Sequence, residues 1–591
     1  MRRYGWSGRG SAGLAVSALL AVTTLATVET AMAQSETAPV VTPSVQVTSE
    51  MRPGRGFTNS QILIHPEDPN IMVIAHADFT IATCLIHVSR DAGRTWTQAP
   101  ANPVPPEFEA CTRPAFGAFM DAAFGPDGTL YFASTGAETA TNRGPTTGYL
   151  ARTRNLGGTW DFAVVAEPEK RDFTLYDGST VETTERFNYA RVATHPTDPK
   201  RVAVGFRVEA AESLTPAPPV RSVVSVSTDG GASFAKPIDT IDPSLPLPDL
   251  PGADAPALAF DKDGAVYAFT KERPRPRAMT QASLPSQPDF PKPLGEPAQC
   301  QPASANPAAP ELLPNPTEPP PAANEPGAGA RLVMSKSTDD GKTWQASVVD
   351  DGGLACIPCL TIPEVAINAE TGDIHLAFEL SQSPLPNPRD NRDIYTMTST
   401  DGGATWSERL KINDDDDPDR EPNYDQFIAG ISVAPNGRVD LAWYDMRTDA
   451  FFNGNGNGTT DRENQTCWDV YSASSSDGGK TFGENVRVSD RTMNQNSGFA
   501  LNPAYDLRAP IGVASTDDKT FVVWPDSRNG TFNLPTEDTY LATVLRASED
   551  DAAVDTTSLL LGAAAALAVA GLVVLIVVAV SRRKKASSAP S

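Results

Sequence analysis

Basic residues are scarce in this sequence of 591 residues, which has 48 lysines and arginines against 73 aspartates and glutamates. The formal net charge of −25 disfavours nucleic acid as a partner, and any anionic ligand would need a local basic pocket. Several catalytic motifs are also missing. The chain has no phosphate-binding glycine loop, no HExxH zinc helix and no GxSxG nucleophile elbow. We therefore expect no cofactor.

Cysteine is also rare, and the spacing of the cysteines does not define a metal site. In an oxidising compartment they can form up to three disulfides. The "CIPC" segment can instead be a redox pair or half of a metal site, but no helical pattern follows it and there is no second CxxC. Structural disulfides are favoured. The six cysteines are Cys84, Cys111, Cys300, Cys356, Cys359 and Cys467.

Both ends of the chain carry segments typical of export and anchoring. Arginines, the apolar run "AGLAVSALLAV" and the small-residue site "AMA" predict a secretory signal peptide over 1–33. Residues 559–580 are 22 consecutive apolar residues, enough to cross a bilayer core of about 30 Å. Four basic residues follow, and such residues stay on the cytoplasmic side. The sequence predicts a single-pass protein of the bacterial cell surface, with a spacer over 546–558 and a cytoplasmic tail over 581–591.

One eight-residue pattern, S-x-D-x-G-x-[ST]-[WF], occurs six times, and each copy follows a short alternating strand. The aspartate can accept hydrogen bonds from its own loop, and the glycine supplies a positive φ. Each copy is therefore predicted to form a hairpin turn. These recurring turns begin at Ser89, Thr153, Ser227, Ser337, Ser399 and Ser475, and the Thr153 copy has Thr and Asn in place of Ser and Asp.

The recurring turn resembles the Asp box of the bacterial neuraminidase repeat, which is found in sialidases and several other β-propellers. The resemblance covers roughly residues 44–545. It implies an all-β propeller in which these turns lie on the side away from the active site. The motif is specific for a fold and much less so for a function.

A strand–turn–strand unit precedes each recurring turn, as in "AAFGPDGTLYFAS", and occurs a seventh time at "IGVASTDDKTFVVW". Four-stranded repeats of about 60 to 80 residues are typical of a propeller. The seventh repeat lacks its last strand, which "SVQVTSEM" at 44–51 can supply. We predict seven blades over 34–545, closed by this N-terminal strand. The alternative is a six-bladed propeller of the sialidase type.

The connections opposite the recurring turns define a second face, called the loop face below. The longest, 273–330, holds 16 of the 53 prolines and is placed as an insertion in blade 4. The segment 452–465 is a similar insertion in blade 6. Long loops on one side of a rigid scaffold often carry binding, although they can also be tolerated surface insertions.

Aligning the first strands of the blades on their turns places one column of side chains near the axis of the ring. Its charged members are Asp121, Arg191 and Glu364. Buried charges are costly unless they are paired, so the column predicts either a salt-bridged cluster or a polar binding pocket. The other members are Gln61, Ala257, Gly430 and Pro510.

Further candidates lie in short loop-face motifs. "NYDQF" contains Tyr424, and "AYDLRAP" contains Tyr505 and Arg508. Arg447 belongs to a W-x-D-x-R pattern that recurs at Arg528. Repetition at one blade position favours a structural Asp–Arg pair tying neighbouring blades, whereas a catalytic group is more often unique.

The resemblance to sialidases implies a site with three arginines around a substrate carboxylate, a tyrosine nucleophile paired with a glutamate, and an aspartate acid/base. Planar guanidinium groups suit a carboxylate because they bind it through two parallel hydrogen bonds. The R-I-P signature of the first sialidase strand is absent here, and its nearest matches are "RAP" at 508–510 and "TIP" at 361–363. The candidates for such a site are Arg191, Arg508, Arg447, Asp121, Glu364, Tyr424 and Tyr505.

Three functions remain open on the sequence. The first is binding of an extracellular glycan or protein on the loop face, and the alternative is an exo-α-sialidase-type glycosidase. The third is an assembly or adhesion factor. The acidic run at 413–421 can hold calcium, but it lacks the glycine and the spaced glutamate of a calcium loop. A solvated loop is favoured, and no metal site is expected.

Overall fold

The computed structural model describes residues 39–546, with gaps at 50–51, 79, 112–119, 138–143, 176–177, 213, 215–217, 242–254, 272–329, 355–362, 382–391, 416–425, 449–466, 495–496, 499–510 and 532–533. One compact unit spans Val41–Val544. A second unit comprises Met1–Val40 and Leu545–Ser591, and only 39–40 and 545–546 of it are described. The predicted signal peptide, membrane span and cytoplasmic tail thus lie outside the described residues. No helix in the described part is long and apolar enough to span a membrane.

The described chain is built from 31 strands in seven antiparallel sheets. Two short strands, β1 (Val40–Val41) and β2 (Val45–Gln46), precede the first blade. Blade 1 contains β3 (Phe57–Ile64), β4 (Met72–Asp78), β5 (Thr83–Ser89) and β6 (Thr97–Gln98). Blade 2 contains β7 (Asp121–Phe124), β8 (Leu130–Gly136), β9 (Thr147–Thr153) and β10 (Asp161–Ala166). Blade 3 contains β11 (Lys170–Thr174), β12 (Thr180–Thr194), β13 (Val202–Ala210), β14 (Arg221–Ser227) and β15 (Ile238–Asp239).

The remaining four blades follow in chain order. Blade 4 contains β16 (Ala257–Phe260), β17 (Val266–Lys271), β18 (Ala330–Ser337) and β19 (Gln345–Leu354). Blade 5 contains β20 (Glu364–Ile367), β21 (Ile374–Ser381), β22 (Arg392–Ser399) and β23 (Leu410–Lys411). Blade 6 contains β24 (Gln426–Val433), β25 (Val439–Asp445), β26 (Cys467–Ser475), β27 (Val486–Arg487) and β28 (Met493–Asn494). Blade 7 contains β29 (Gly512–Ser515), β30 (Lys519–Asp526) and β31 (Asp538–Leu545).

The inner strands form a closed ring. Each blade's inner strand contacts that of the next blade, in the order β3, β7, β12, β16, β20, β24, β29 and back to β3. The prediction of seven blades is therefore confirmed. The two long insertions predicted from sequence join the second and third strands of blades 4 and 6, since β17 pairs with β18 and β25 with β26.

The N-terminal segment completes blade 7. Both β1 and β2 pair with β31, and the Val47 N–H donates to the Thr539 carbonyl at 2.8 Å. The closure predicted from sequence is observed, but with different boundaries. Two short strands at 40–41 and 45–46 replace the single strand expected over 44–51. Closing the ring in this way covers the sheet edge that blade 7 would otherwise expose.

The six recurring turns share one hydrogen-bond pattern. In the turn at Ser399, the Ser399 hydroxyl accepts the Gly403 N–H at 2.9 Å, and Asp401 accepts the Thr405 N–H at 2.9 Å. The Thr405 hydroxyl and backbone, together with Ser399, lower the pKa of Asp401 to about 2. In the copy at Thr153, Asn155 accepts the Thr159 N–H at 3.0 Å. The amide oxygen therefore replaces the carboxylate without changing the turn.

The core lies between blades rather than within them, because each sheet buries both faces against its neighbours. One cluster, for example, packs Phe427, Tyr444 and Trp468 of blade 6 against Trp524 of blade 7. A disulfide between Cys84 and Cys111 joins β5 to the connection that leads to blade 2. Cys467 is also disulfide-bonded.

Candidate functional site

The inner strands place one residue each at the same height around the axis, three residues before the strand ends. The predicted members at this level are Gln61, Asp121, Arg191, Ala257, Glu364 and Gly430. Asp121 and Glu364 begin their strands, on the side away from the recurring turns. In blade 7 the strand register puts Gly512 at this level, because the turn between β29 and β30 is shorter than its counterparts, and the predicted member Pro510 lies outside the described residues.

Polar side chains at this level link blades 1, 2 and 3. The Gln61 side-chain oxygen accepts the Ala122 N–H at 2.9 Å. Asp121 Oδ1 accepts the same N–H at 2.9 Å, and Asp121 Oδ2 accepts the Val192 N–H at 2.9 Å. The Asp121 carboxylate is therefore fixed by backbone donors of its own blade and of the next.

Arg191 of blade 3 reaches past the small Ala257 of blade 4 to Glu364 of blade 5. Its Nη2 donates to Glu364 Oε1 at 2.6 Å. Arg191 is buried, with 9% of its side chain exposed, and Glu364 is 19% exposed. The structure thus brings three of the sequence-predicted residues, Asp121, Arg191 and Glu364, into one charged cluster, called the axial cluster below.

The electrostatics of the axial cluster follow from burial and from mutual attraction. Burial raises the pKa of Asp121 and of Glu364, and the positive charge of Arg191 offsets part of this increase. Burial alone would lower the pKa of Arg191, but Glu364 and Asp121 outweigh it and raise that pKa. Carboxyl groups with raised pKa values beside a fixed guanidinium group occur frequently at functional sites.

Glycines narrow the ring on the other side of the axis. A Cβ on Gly430 would lie 1.9 Å from the Ile511 carbonyl oxygen. A Cβ on Gly512 would lie 2.7 Å from the Ser60 carbonyl oxygen. Backbones of blades 6, 7 and 1 therefore approach so closely that no side chain fits at Gly430 or Gly512. The charged side chains belong to blades 2, 3 and 5, where there is room for them.

Three inner strands carry a bulge that the sequence did not reveal. Asn59, Tyr189 and Ile428 have φ values of 57°, 53° and 56°, each two residues before the axial level. The strand register shifts at each of these positions. A bulge re-aims the side chains that follow it, and in blade 3 the next side chains include Arg191. Tyrosine and isoleucine rarely adopt this conformation, so no sequence signal marks these positions.

Arg447 lies elsewhere, in the W-x-D-x-R motif at the end of β25. Its Nη2 donates to Asp445 at 2.8 Å, its Nη1 donates to Asp414 at 2.7 Å, and its guanidinium group stacks 4.2 Å from the Tyr471 ring centroid. Asp414 follows blade 5, so Arg447 ties blade 5 to blade 6.

The second W-x-D-x-R motif repeats this geometry between blades 6 and 7. Arg528 binds Asp526 at 2.7 Å and Asp490 at 2.7 Å, and it stacks 4.1 Å from the Tyr540 ring centroid. The contacts of both arginines are those of a structural Asp–Arg pair that ties neighbouring blades, which is how the repetition of the motif was interpreted from the sequence.

Three of the predicted site residues, Arg508, Tyr424 and Tyr505, lie outside the described residues. Of the acidic run, Asp414 pairs with Arg447, and Asp415 accepts hydrogen bonds from Asn413 and Gln426. Within the described ranges, no group of three or more histidine, cysteine or acidic side chains is arranged to hold a metal ion.

The strand order and the axial cluster define a seven-bladed β-propeller with a charged centre. The chain matches no family model and no curated protein. Among solved structures it is similar to a Hadza microbial sialidase, with 12% identity over 81% of this chain and 74% of that chain and a TM-score of 0.40.

Two further solved structures have the same degree of likeness. An α-L-arabinofuranosidase of Fusarium graminearum in complex with arabinobiose has 11% identity over 69% of this chain and 93% of that one, with a TM-score of 0.38. A sialidase of Trypanosoma rangeli has 12% identity over 73% of this chain and 55% of that one, with a TM-score of 0.38. These likenesses are remote, and the assignment of the fold rests on the strand order of the chain itself.

Proposed function

We propose that this protein is a membrane-anchored extracellular propeller that binds a glycan on its loop face, above the axial cluster. The observation that carries the proposal is the convergence of Asp121, Arg191 and Glu364 from three blades at the axis. A ring of rigid blades holds these polar groups in place, and preorganised polar groups suit recognition of hydroxyl-rich ligands. The bilayer anchor in this proposal is the apolar segment 559–580.

A glycan array probed with the purified full-length chain tests the binding. We expect retention on a subset of glycans and at least a tenfold weaker signal for Asp121→Asn. The matched control is Arg154→Ala, which removes an exposed arginine paired with Asp127 beside a recurring turn. Equal binding by both variants would place the ligand away from the axial cluster. Absence of glycan binding by the folded chain would favour a protein ligand.

The anchor has a separate test. Removing residues 552–591 is expected to move the chain from the membrane fraction to the soluble fraction of an expressing cell. Replacing the same residues with a polar linker of equal length is the control, since it keeps the chain length while removing the apolar segment and the basic tail. If the shortened chain still sediments with membranes, the anchor lies elsewhere.

An exo-acting glycosidase is the second candidate, and one observation favours it. Asp121 and Glu364 are carboxyl groups with raised pKa values, as a general acid requires. The three arginines of a sialidase-type site are not assembled among the described residues, since Arg191 is paired with Glu364 and Arg447 with Asp445. Hydrolysis of fluorogenic sialosides and neutral glycosides, lost in Glu364→Gln, would establish this alternative.

A further inference from the structure

The charge of the axial cluster limits which sugars the loop face accepts, and this inference rests on the proposed function. When ionised, Asp121 and Glu364 supply two negative charges against the single positive charge of Arg191. The other residues placed at this level, Gln61, Ala257, Gly430 and Gly512, are uncharged. The described part of the site therefore has an excess of one negative charge.

Arg191 is poorly placed to bind a carboxylate of a ligand. Its guanidinium group already donates to Glu364 at 2.6 Å and is also attracted by Asp121. The Arg191 side chain is only 9% exposed, and a ligand carboxylate that approaches it would also be repelled by the carboxylates of Glu364 and Asp121 when these are ionised.

Glu364 offers the opposite chemistry. Its hydrogen bond with Arg191 uses Oε1, so Oε2 keeps its capacity to accept a hydrogen bond. Glu364 is also the more exposed partner of the pair, at 19% against 9% for Arg191. A carboxylate oxygen accepts from hydroxyl groups, and it accepts more strongly from an ammonium group because the bond is then assisted by charge.

We infer that the axial cluster selects neutral sugars and amino sugars over sugars that bear a carboxylate, and that it binds amino sugars most tightly. Glu364 accepts the hydrogen bond from the ligand, and Asp121 reinforces the negative potential. The overall charge of −25 acts in the same direction at longer range.

Calorimetric titration of the full-length chain with three probes tests this selectivity. The probes are the β-1,4-linked tetramer of glucosamine, its fully N-acetylated counterpart and 3′-sialyllactose, at mildly acidic pH where the amine is charged. The glucosamine tetramer is expected to bind about tenfold more tightly than the acetylated tetramer, and sialyllactose least tightly. Raising the salt concentration should reduce the difference in affinity between the glucosamine tetramer and the acetylated tetramer.

Glu364→Gln is expected to reduce the preference for the amino sugar to less than about threefold. Asp121→Asn should reduce it as well, which provides a second check if one variant folds poorly. The matched control is Glu370→Gln, which removes an exposed glutamate from the turn at the opposite end of the same strand. An unchanged preference in both axial variants would overturn the inference.

The outcomes separate the two proposals. Tighter binding of sialyllactose than of either tetramer would overturn the charge selectivity and leave glycan binding in place. If none of the three sugars binds the folded chain and the glycan array is also blank, both proposals fail.

Discussion

At the scale of single residues, the sequence identified the members of the axial cluster but not their pairing. The alignment of turns put Asp121, Arg191 and Glu364 at one height, because each inner strand continues for three residues beyond this level before its turn. That Arg191 pairs across blade 4 depends on the small Ala257 between them and on the bulge before Arg191. Neither the reach of a side chain across the axis nor a bulge at Tyr189 has a local sequence signal.

Arg191→Met is expected to lower the free energy of unfolding by about 2–4 kcal/mol, since it leaves two largely buried carboxyl groups without a counter-charge. The double variant Arg191→Met with Glu364→Gln should recover part of this loss, because it removes one of those charges. Urea denaturation of the full-length chain measures the free energy of unfolding of both variants. A double variant no more stable than Arg191→Met would contradict the pairing.

At the scale of elements, the recurring turn was predictable because its chemistry is local. Hydroxyl, carboxylate and glycine satisfy one another within eight residues, as the contacts of Ser399, Asp401 and Gly403 illustrate. Two features of the blades were not predictable. The additional strand β11 pairs with an extended β12, and the two-part closing strand is shorter than its alternation suggested. Both depend on tertiary pairing rather than on local pattern.

The invariant glycine of the recurring turn has a tertiary cause. The position before it tolerates Ala92, Leu156 and Asp340, all with positive φ. The glycine itself packs against the preceding blade. In five of the six turns, an added Cβ would lie within 2.8 Å of that blade, for example 2.7 Å from Ala99 at Gly157 and 2.8 Å from Val226 at Gly341. A turn residue thus sets the distance between blades.

A pair of alanine substitutions in one turn separates the cost of a positive φ from the cost of a contact with the preceding blade. Gly478→Ala meets no atom within 4 Å, so only its φ of 75° is unfavourable and the loss should be about 1 kcal/mol. Gly479→Ala brings its Cβ to 2.8 Å from Thr398 of blade 5, so we expect a loss of about 2–4 kcal/mol. Thermal unfolding compares the two variants. Equal losses would show that backbone conformation alone fixes the glycine.

At the scale of the whole molecule, the joint between blades 7 and 1 is a buried polar network. His76 hydrogen-bonds Thr539 at 2.9 Å and His87 at 2.8 Å, and all three residues are buried. Arg55 binds Asp538 through two contacts of 2.6 Å beside them. Burial lowers the pKa of His87 to about 4, and burial together with His87 lowers the pKa of His76. The ring was predictable by counting strands, whereas this network was not, since its partners lie at opposite ends of the chain.

These histidines should make the protein sensitive to acid. Their folded-state pKa values lie below the ordinary value of 6.5, so the unfolded chain binds more protons as the pH falls. The free energy of unfolding should keep its full value above about pH 6.5 and decline as the pH falls towards about 4. His87 should contribute roughly 3 kcal/mol to this decline. His87→Gln should flatten this dependence. Denaturant unfolding across that pH range measures the effect.

His375→Gln tests whether the acid-sensitive part is the joint between blades 7 and 1 or another blade. The buried His375 of blade 5 also has its pKa lowered by burial to about 4. Both variants should flatten the global pH dependence. Hydrogen exchange at the Val47 and Phe57 amides, which bond to blade 7, should accelerate in acid for the wild type and much less for His87→Gln. If acid accelerates exchange no more there than in blade 5, the joint is not the acid-sensitive part.

The pairing of β2 with β31 also determines the order of events when the chain is made. The Thr48 hydroxyl bonds Asp538, 490 residues further along. During synthesis, β1 and β2 are made before any blade and must wait for β31 of the final blade before they have a partner. Contacts of such sequence separation form late because of the loop entropy they require. Any blades that fold before this closure leave a sheet edge uncovered, and a factor that shields a β-edge would act on this protein in that interval.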